Sequence, residues 1–322
     1  MSRIRAVGIV VPARDEEDAV VACLRSVRRA ADAAARRDGV ATAVTVVLDR
    51  CADRTPERVA ALLAGWPRAE VLVVRAVGSH RVADTAGGPL ALAGGGVGAL
   101  RDLGARHVLG RLGGASPEDT WLLHTDADTV VPPGWVRHHL ALARAGAGGV
   151  AGLADLDADA AGLSAPARER YAAVLARGLG VGTHDHVYGA NLGVRADAYL
   201  AAGGFPVDGP GEDHGLWRRL ADAGVPLERS RAVRVRTSAR LRGRAAGGLA
   251  DLLRSLELGT GDPGLDGPAG PVPHAAVPPM AVPHPDRQAA GRHAPAPKAA
   301  APHAAGQHVT SPLMAGLHAA GH

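Results

Sequence analysis

Four short apolar runs, at residues 4–11, 44–48, 71–74 and 121–124, are separated by stretches with helical spacing. This alternation constrains the chain more than any other feature. A strand that is apolar throughout is buried on both faces, and strands of that kind alternating with helices build a parallel α/β sheet. Helical patterns run from 19 to 37, from Thr55-Pro56-Glu57 onward, from 97 to 107, and onward from Pro132-Pro133. Pro in the first turn suits a helix start, because that N–H has no intrahelical partner. The expected fold is therefore a largely parallel α/β sheet flanked by helices. Ligands are then expected at the carboxyl ends of its strands.

Composition narrows the function classes. Of 322 residues, 47% are hydrophobic and 21% charged, as in a globular protein. The net charge is +4, yet the bases are almost all Arg, Lys298 being the sole Lys. A solvated Arg-rich surface accounts for this, and no nucleic acid partner is implied. Cys23 and Cys51 are the two cysteines, too few for a disulfide scaffold or a four-cysteine zinc site. No apolar stretch reaches the ~18 residues of a membrane span. Residues 6–13 resemble a short signal core but run into Asp15-Glu16-Glu17-Asp18. They read better as a buried first strand, and the expected location is cytoplasmic.

The composition changes near Gly259. Residues 261–322 are dominated by Pro, Ala, Gly and His, including seven of the fifteen histidines at irregular spacing. Such a segment buries too little apolar surface to offset the entropy of ordering it. The expected organisation is a catalytic domain over 1–258 and a disordered tail over 259–322.

The chemistry-bearing residues lie where the strands end. Thr125-Asp126-Ala127-Asp128-Thr129 follows the fourth strand. In an extended chain residues two apart share a side, so Asp126 and Asp128 are expected to converge on one hard cation, Mg²⁺ or Mn²⁺. The first strand ends in Val11-Pro12-Ala13-Arg14-Asp15-Glu16-Glu17, and the second runs into Asp49, Cys51 and Asp53. Asp53 and residues 15–18 also suit helix N-termini, whereas Asp49 has no evident structural need. Further on stand Tyr188-Gly189-Ala190-Asn191 and Gly211-Glu212-Asp213-His214, the latter ahead of a helical run over 216–223. A carboxylate placed there caps a helix or deprotonates an acceptor hydroxyl.

The order of these motifs resembles the family 2 glycosyltransferases of the GT-A fold, over about residues 10–250. Residues 11–17 are similar to that family's opening Pro-x-x-Asn-Glu-Glu signature, with Asp15 in place of Asn. Residues 48–55 look like its second-strand aspartate loop, 125–129 like its Asp-x-Asp, and 211–214 like its Glu-Asp element. The resemblance implies a Rossmann-like mixed sheet and a nucleotide-sugar donor, a UDP- or GDP-sugar. It implies that Pro12, Arg14 and Glu16 line the nucleotide pocket and Asp49 meets the base. Asp126 and Asp128 face ribose and metal, with Asp128 the direct ligand. Asp213, beside Glu212, is the general base of an inverting transfer to a small or carrier-linked hydroxyl. His214, Trp217 and Arg240 are acceptor-side candidates, although Trp217 at helical spacing also suits a core. Arg240, Arg242 and Arg244 also suit donor phosphates or a solvated basic strand end. The Gln-x-x-Arg-Trp element of the family's processive synthases is missing, which disfavours polymer synthesis and export.

Two other readings stand beside this one. Gly94-Gly95-Gly96-Val97-Gly98-Ala99 superficially fits the dinucleotide fingerprint of an NAD(P)-dependent oxidoreductase, yet it follows three strands where that fingerprint follows the first. A non-catalytic sugar-nucleotide-binding protein of the same fold would have no need of Asp213.

Overall fold

The computed structural model describes residues 3–74, 82–83, 89–90, 96–157, 162–207, 209–243 and 248–259. The expected disordered tail beyond Gly259 lies outside these residues, as do Gly94, Gly95 and Arg244.

The first apolar run forms β1 (Ala6–Ala13), buried along its whole length. Alternate side chains serve opposite faces. Val7, Ile9 and Val11 enter one core, and Ala6 and Val10 enter the other. Next come α1 (Val20–Asp38), β2 (Ala41–Asp49), α2 (Thr55–Leu63), β3 (Ala69–Val74) and the two-residue strands β4 (Val82–Ala83) and β5 (Pro89–Leu90). Then follow α3 (Val97–Arg111), β6 (Thr120–His124), β7 (Thr129–Val130), α4 (Trp135–Arg144), β8 (Gly149–Leu156) and α5 (Ala165–Arg177). The series closes with β9 (Leu192–Arg195), α6 (Ala196–Ala201), α7 (Glu212–Asp222), β10 (Leu227–Thr237) and α8 (Leu249–Leu258). The sheet order is β5-β4-β3-β2-β1-β6-β9-β8-β10-β7.

Helices α1, α2 and α4 cover one face of this sheet. Helices α3, α6 and α7 cover the other. A smaller apolar cluster joins α5 and α8 to Ala239. No helix among the described residues is long and apolar enough to cross a membrane.

The sheet is mixed, where a largely parallel one is expected from the alternation. β3, β2, β1 and β6 are parallel, but β9 runs antiparallel to both β6 and β8. At four residues β9 is too short to show a period, so its sequence does not reveal it. Its reversal has a consequence for the site: the residues leading into β9 arrive at the edge where β6 ends. Asn191 fixes them there. Its amide donates to the carbonyls of Leu153 and Val233 at 2.8 and 3.1 Å, and its carbonyl oxygen accepts from Trp135 Nε1 at 2.9 Å. Those two carbonyls flank the register shift of β10 against β8, where the ladder is interrupted. A side-chain amide thus replaces the ladder bonds that the irregularity removes.

Pro12 lies within a central strand, a position that usually excludes proline. The pairing of β1 with β6 ends at Val10↔His124, so Pro12 has a ladder neighbour only on the β2 side.

Small residues set the height of α3 above the sheet. A Cβ on Gly104 would stand 2.5 Å from Val10 Cγ1 and 2.9 Å from Val47 Cγ2. A Cβ on Gly98 would overlap the Pro206 carbonyl oxygen and meet Glu212 Cβ at 2.9 Å. Gly98→Ala should therefore lower the unfolding free energy by about 1–3 kcal/mol, the range for overpacking, despite the better helix propensity of Ala. Urea unfolding measures this, and an unchanged midpoint would refute the close approach.

Candidate active site

The loops after β1 and β2 are tied to each other. Asp15 Oδ1 accepts from Ala52 N at 2.7 Å, Asp53 Oδ2 from Glu17 N at 2.9 Å, and Thr55 Oγ1 from Glu16 N at 2.7 Å. Asp53 also accepts from Thr55 N at 2.9 Å, at the start of α2. Asp15 has φ +50° and Arg50 φ +47°, both left-handed. Asp and Asn enter that region more readily than other residues with a Cβ, so Asp15 suits this turn. For Arg50 the conformation costs about 1–2 kcal/mol. Its guanidinium compensates with two bonds to the buried Asp49, at 2.7 and 2.9 Å. Exposed Arg14 stands 3.8 Å from the same carboxylate. Asp49 is thus a paired acid at the sheet edge.

Asp15, Cys51 and Asp53 lie close enough together to share an ion, but the two carboxylates already serve the loop zipper. Both cysteines are free thiols, as expected.

Residues 125–128 form a turn, not the extended segment expected, and Thr129 N donates to Asp126 O at 3.1 Å. Helix α1 supports this turn from below. Cys23 Sγ donates to Asp126 O at 3.2 Å, and Ser26 Oγ accepts from Val131 N at 3.0 Å. Burial, reinforced by Asp128 and Asp126, pushes the Cys23 thiol far up, so it remains a neutral donor. On the far side, β7 pairs with the end of β10, and the Thr129 and Thr237 hydroxyls meet at 3.0 Å.

The two aspartates of the turn meet different arginines. Asp126 Oδ1 accepts from Arg101 at 2.5 Å. Asp128 Oδ2 stands 3.1 Å from Arg240 Nη2. Arg240 Nη1 also donates to both oxygens of buried Glu16, at 2.7 Å each. Arg101 reaches Glu212 Oε1 at 3.4 Å and lies over the ring of Phe205, 5.9 Å from its centroid. It is 2% exposed, and its Nη1 has no hydrogen-bond partner. Burial alone would weaken its proton, but Asp126, Glu212 and Asp213 outweigh that and hold it above the ordinary arginine value. His124, at the end of β6, lies edge-on to Phe205 at 4.8 Å, and burial together with Arg101 keeps it neutral.

Glu212 and Asp213 form the first turn of α7, which starts four residues earlier than its apolar period suggests. Asp213 Oδ2 accepts from Gly189 N at 2.9 Å and Oδ1 from His214 N at 2.7 Å. The N-cap position itself is Gly211, which has no side chain to cap the helix. Burial raises Glu212 above its ordinary value; Arg101 opposes this, and Asp213 and Asp126 add to it.

Glu16, Asp126, Asp128, Glu212, Asp213 and Arg240 are thus drawn around one sheet edge, with Asp49 and Arg14 beside them. His214 is exposed at the start of α7. Trp217 is elsewhere. It is 2% exposed in the core, with Arg229 over its ring at 5.2 Å, and offers no face to an acceptor. Pro12 is buried within β1, behind the edge. Gly98 faces Pro206 and Glu212, so its missing side chain serves packing and leaves no room for a pyrophosphate. Arg101 is the residue that sequence reasoning overlooks. Its signal is an arginine on the same helical face as Gly98, Ala105 and Val108, all of which are buried.

The donor set suits a hard divalent cation. Five carboxylates lie about two guanidinium groups among the described residues. The one thiol beside Asp126 and Asp128, that of Cys23, is held neutral against the Asp126 carbonyl, which leaves oxygen ligands to the site.

No family model matches the chain, and no curated protein does. Solved structures do resemble it. The mannosyltransferase PcManGT from Pyrobaculum calidifontis, in complex with GDP-Man and Mn²⁺, aligns with TM-score 0.49 and 18% identity, over 75% of this chain and 59% of that one. Residues 1–349 of S. aureus TarS align with TM-score 0.48 and 11% identity, over 79% and 70% of the two chains. GalNAc-T7 with UDP, GalNAc and Mn²⁺ aligns with TM-score 0.49 and 13% identity, over 80% of this chain and 48% of that one. Likenesses of this degree carry no conclusion about activity.

Two outcomes follow from the buried charges. Arg101→Met leaves Glu212 and Asp126 without their shared cation and should cost about 3 kcal/mol, the low end for breaking a buried pair because Asp126 is partly exposed. Chemical denaturation reads this directly, and a loss below 1 kcal/mol would contradict it. The second outcome concerns pH. The folded chain holds the Glu212 proton more tightly than the unfolded one does. Its contribution is therefore complete below the ordinary value of 4.5 and lost as pH rises through the raised one. Stability measured at pH 4.5 and at pH 7 should fall more in the wild type than in Glu212→Gln.

Proposed function

We propose that the chain is a GT-A-type, family 2-like glycosyltransferase that moves a sugar from a nucleotide-sugar donor to a hydroxyl acceptor with inversion. The observation that supports this most is the meeting of three acidic elements around Arg101 and Arg240. These elements are the β1 loop with Glu16, the β6 turn with Asp126 and Asp128, and the first turn of α7 with Glu212 and Asp213.

On this reading Arg14 and Asp49 receive the base, and Pro12 and Glu16 shape the pocket behind it. Asp126 and Asp128 would hold Mn²⁺ or Mg²⁺, which when bound offsets the charge of the departing diphosphate. Asp213 accepts the proton of the acceptor hydroxyl as the new glycosidic bond forms. Its two backbone donors fix the direction of its remaining lone pairs. Glu212 is turned inward to Arg101 and acts by holding that arginine against Asp126. His214, exposed one residue beyond the base, is the acceptor-side contact on this reading. Arg240 instead belongs with the donor carboxylates. The reading places no demand on the tail.

Calorimetric titration of UDP and of GDP, with and without Mn²⁺, tests the donor half. One nucleotide should bind in a metal-dependent manner, and Asp128→Ala should abolish that binding. Asp213→Asn should keep nucleotide binding and lose turnover by about 10²–10⁴-fold, the usual contribution of a general base. Binding of NAD(H) with no response to either nucleotide would overturn the proposal in favour of an oxidoreductase.

A further inference from the structure

Arg240 holds Glu16 and Asp128 at the same time, through the two nitrogens at the tip of one guanidinium. These carboxylates come from the loop after β1 and the turn after β6, far apart in sequence. The residue that joins them sits in neither a helix nor a strand, just beyond the end of β10. Two features set its reach. β7 pairs with β10 and carries the turn of Asp128 directly to the base of the segment. Beyond it, Ala239 is anchored in the apolar cluster of α5 and α8, a cluster separate from the two cores of the sheet. The segment 238–243 is thus fastened on the side that leads into Arg240, and the guanidinium lies on the acidic edge.

A guanidinium and a divalent ion seek the same carboxylate oxygens, and one oxygen lone pair cannot serve both. We infer that Arg240 is the built-in counter-cation of the donor carboxylates, and that a divalent ion takes its place on Asp128 and releases the segment 238–243. This rests on the donor and metal reading of the site. When the metal is absent, Arg240 keeps Glu16 and Asp128 from repelling each other. When the metal binds, the freed guanidinium and the loosened segment lie beside the donor position.

An equilibrium of this kind weakens the apparent metal affinity by the fraction of molecules with Arg240 withdrawn. Reciprocally, metal must loosen the contact by the same factor. Hydrogen–deuterium exchange of the full chain, with and without Mn²⁺, reads the second effect, and calorimetric Mn²⁺ titration reads the first. In the wild type, peptides covering 238–243 should exchange at least about fivefold faster with Mn²⁺. In Arg240→Ala they should exchange fast in either condition, and Mn²⁺ should bind about tenfold more tightly. Removing a positive charge alone would strengthen metal binding, so the wild-type exchange is the deciding measurement because it needs no substitution. Mn²⁺ binding that leaves the exchange of 238–243 unchanged or slows it would overturn this inference and leave the transferase reading intact. Absence of Mn²⁺ binding in both chains would overturn the metal assignment and this inference with it.

Discussion

The candidate site depends on one buried guanidinium. Arg101 reaches the edge from α3, and the β6 turn and the first turn of α7 both close on it through Asp126 and Glu212. A buried ion pair is weak support for stability in itself, because desolvating the ions consumes most of the attraction between them. Its value here is directional. Because Arg101 is closed off from solvent, each alternative placement of the turn or the helix leaves its charge short of a partner. The small residues of α3 and the φ of +77° at Gly211 are what let the backbones come close enough for this. The same demand reaches Gly189, whose missing side chain leaves room for the guanidinium.

Much of this arrangement is legible in the sequence, for identifiable reasons. β1, β2 and β6 are buried on both faces and so read as continuous apolar runs. A parallel sheet then forces whatever follows each strand onto one edge. That is why Glu16, Asp49, Asp126 and Asp128 could be placed together from pattern alone. The limits of sequence pattern are equally physical. β9 is four residues long, and its antiparallel course is held by the side-chain bonds of Asn191, which no periodicity encodes. Trp217 faces the core with Leu216 and Leu220, the alternative to an acceptor contact that its helical spacing already offered. Arg101 escapes a search for acids and metal ligands because it is distant in sequence from the groups it organises. Arg240, although a candidate, gives no sign in sequence of its pairing with Glu16 and Asp128.

Asp126 and Asp128 follow β6, where the sequence puts them, but their local form differs from the extended pair expected. An extended Asp-x-Asp would present both carboxylates to one ion. The turn seen here sends them to Arg101 and to Arg240 instead. The two are not equivalent. Arg101 is enclosed by α3, Phe205 and Glu212, whereas Arg240 lies on an irregular segment and is one-third exposed. A cation arriving at the turn therefore meets one fixed partner and one that can yield. Under the proposed transfer Asp128 would be the direct ligand of the ion, with Asp126 facing it from a turn that Arg101 holds in place, an asymmetry that the carboxylates alone would not produce.

Charge balance gives the same order of events. With its acids ionised, the edge carries more negative charge than Arg101 and Arg240 neutralise, and a diphosphate approaching it is repelled. Under the proposed transfer, a divalent ion on Asp128 would reduce that repulsion twice, by its own charge and by freeing Arg240 for the phosphates. On that proposal, metal and nucleotide binding would be coupled through one side chain, because the first to arrive must break the contact of Arg240 with Glu16 and Asp128, and the second arrives after that cost has been met.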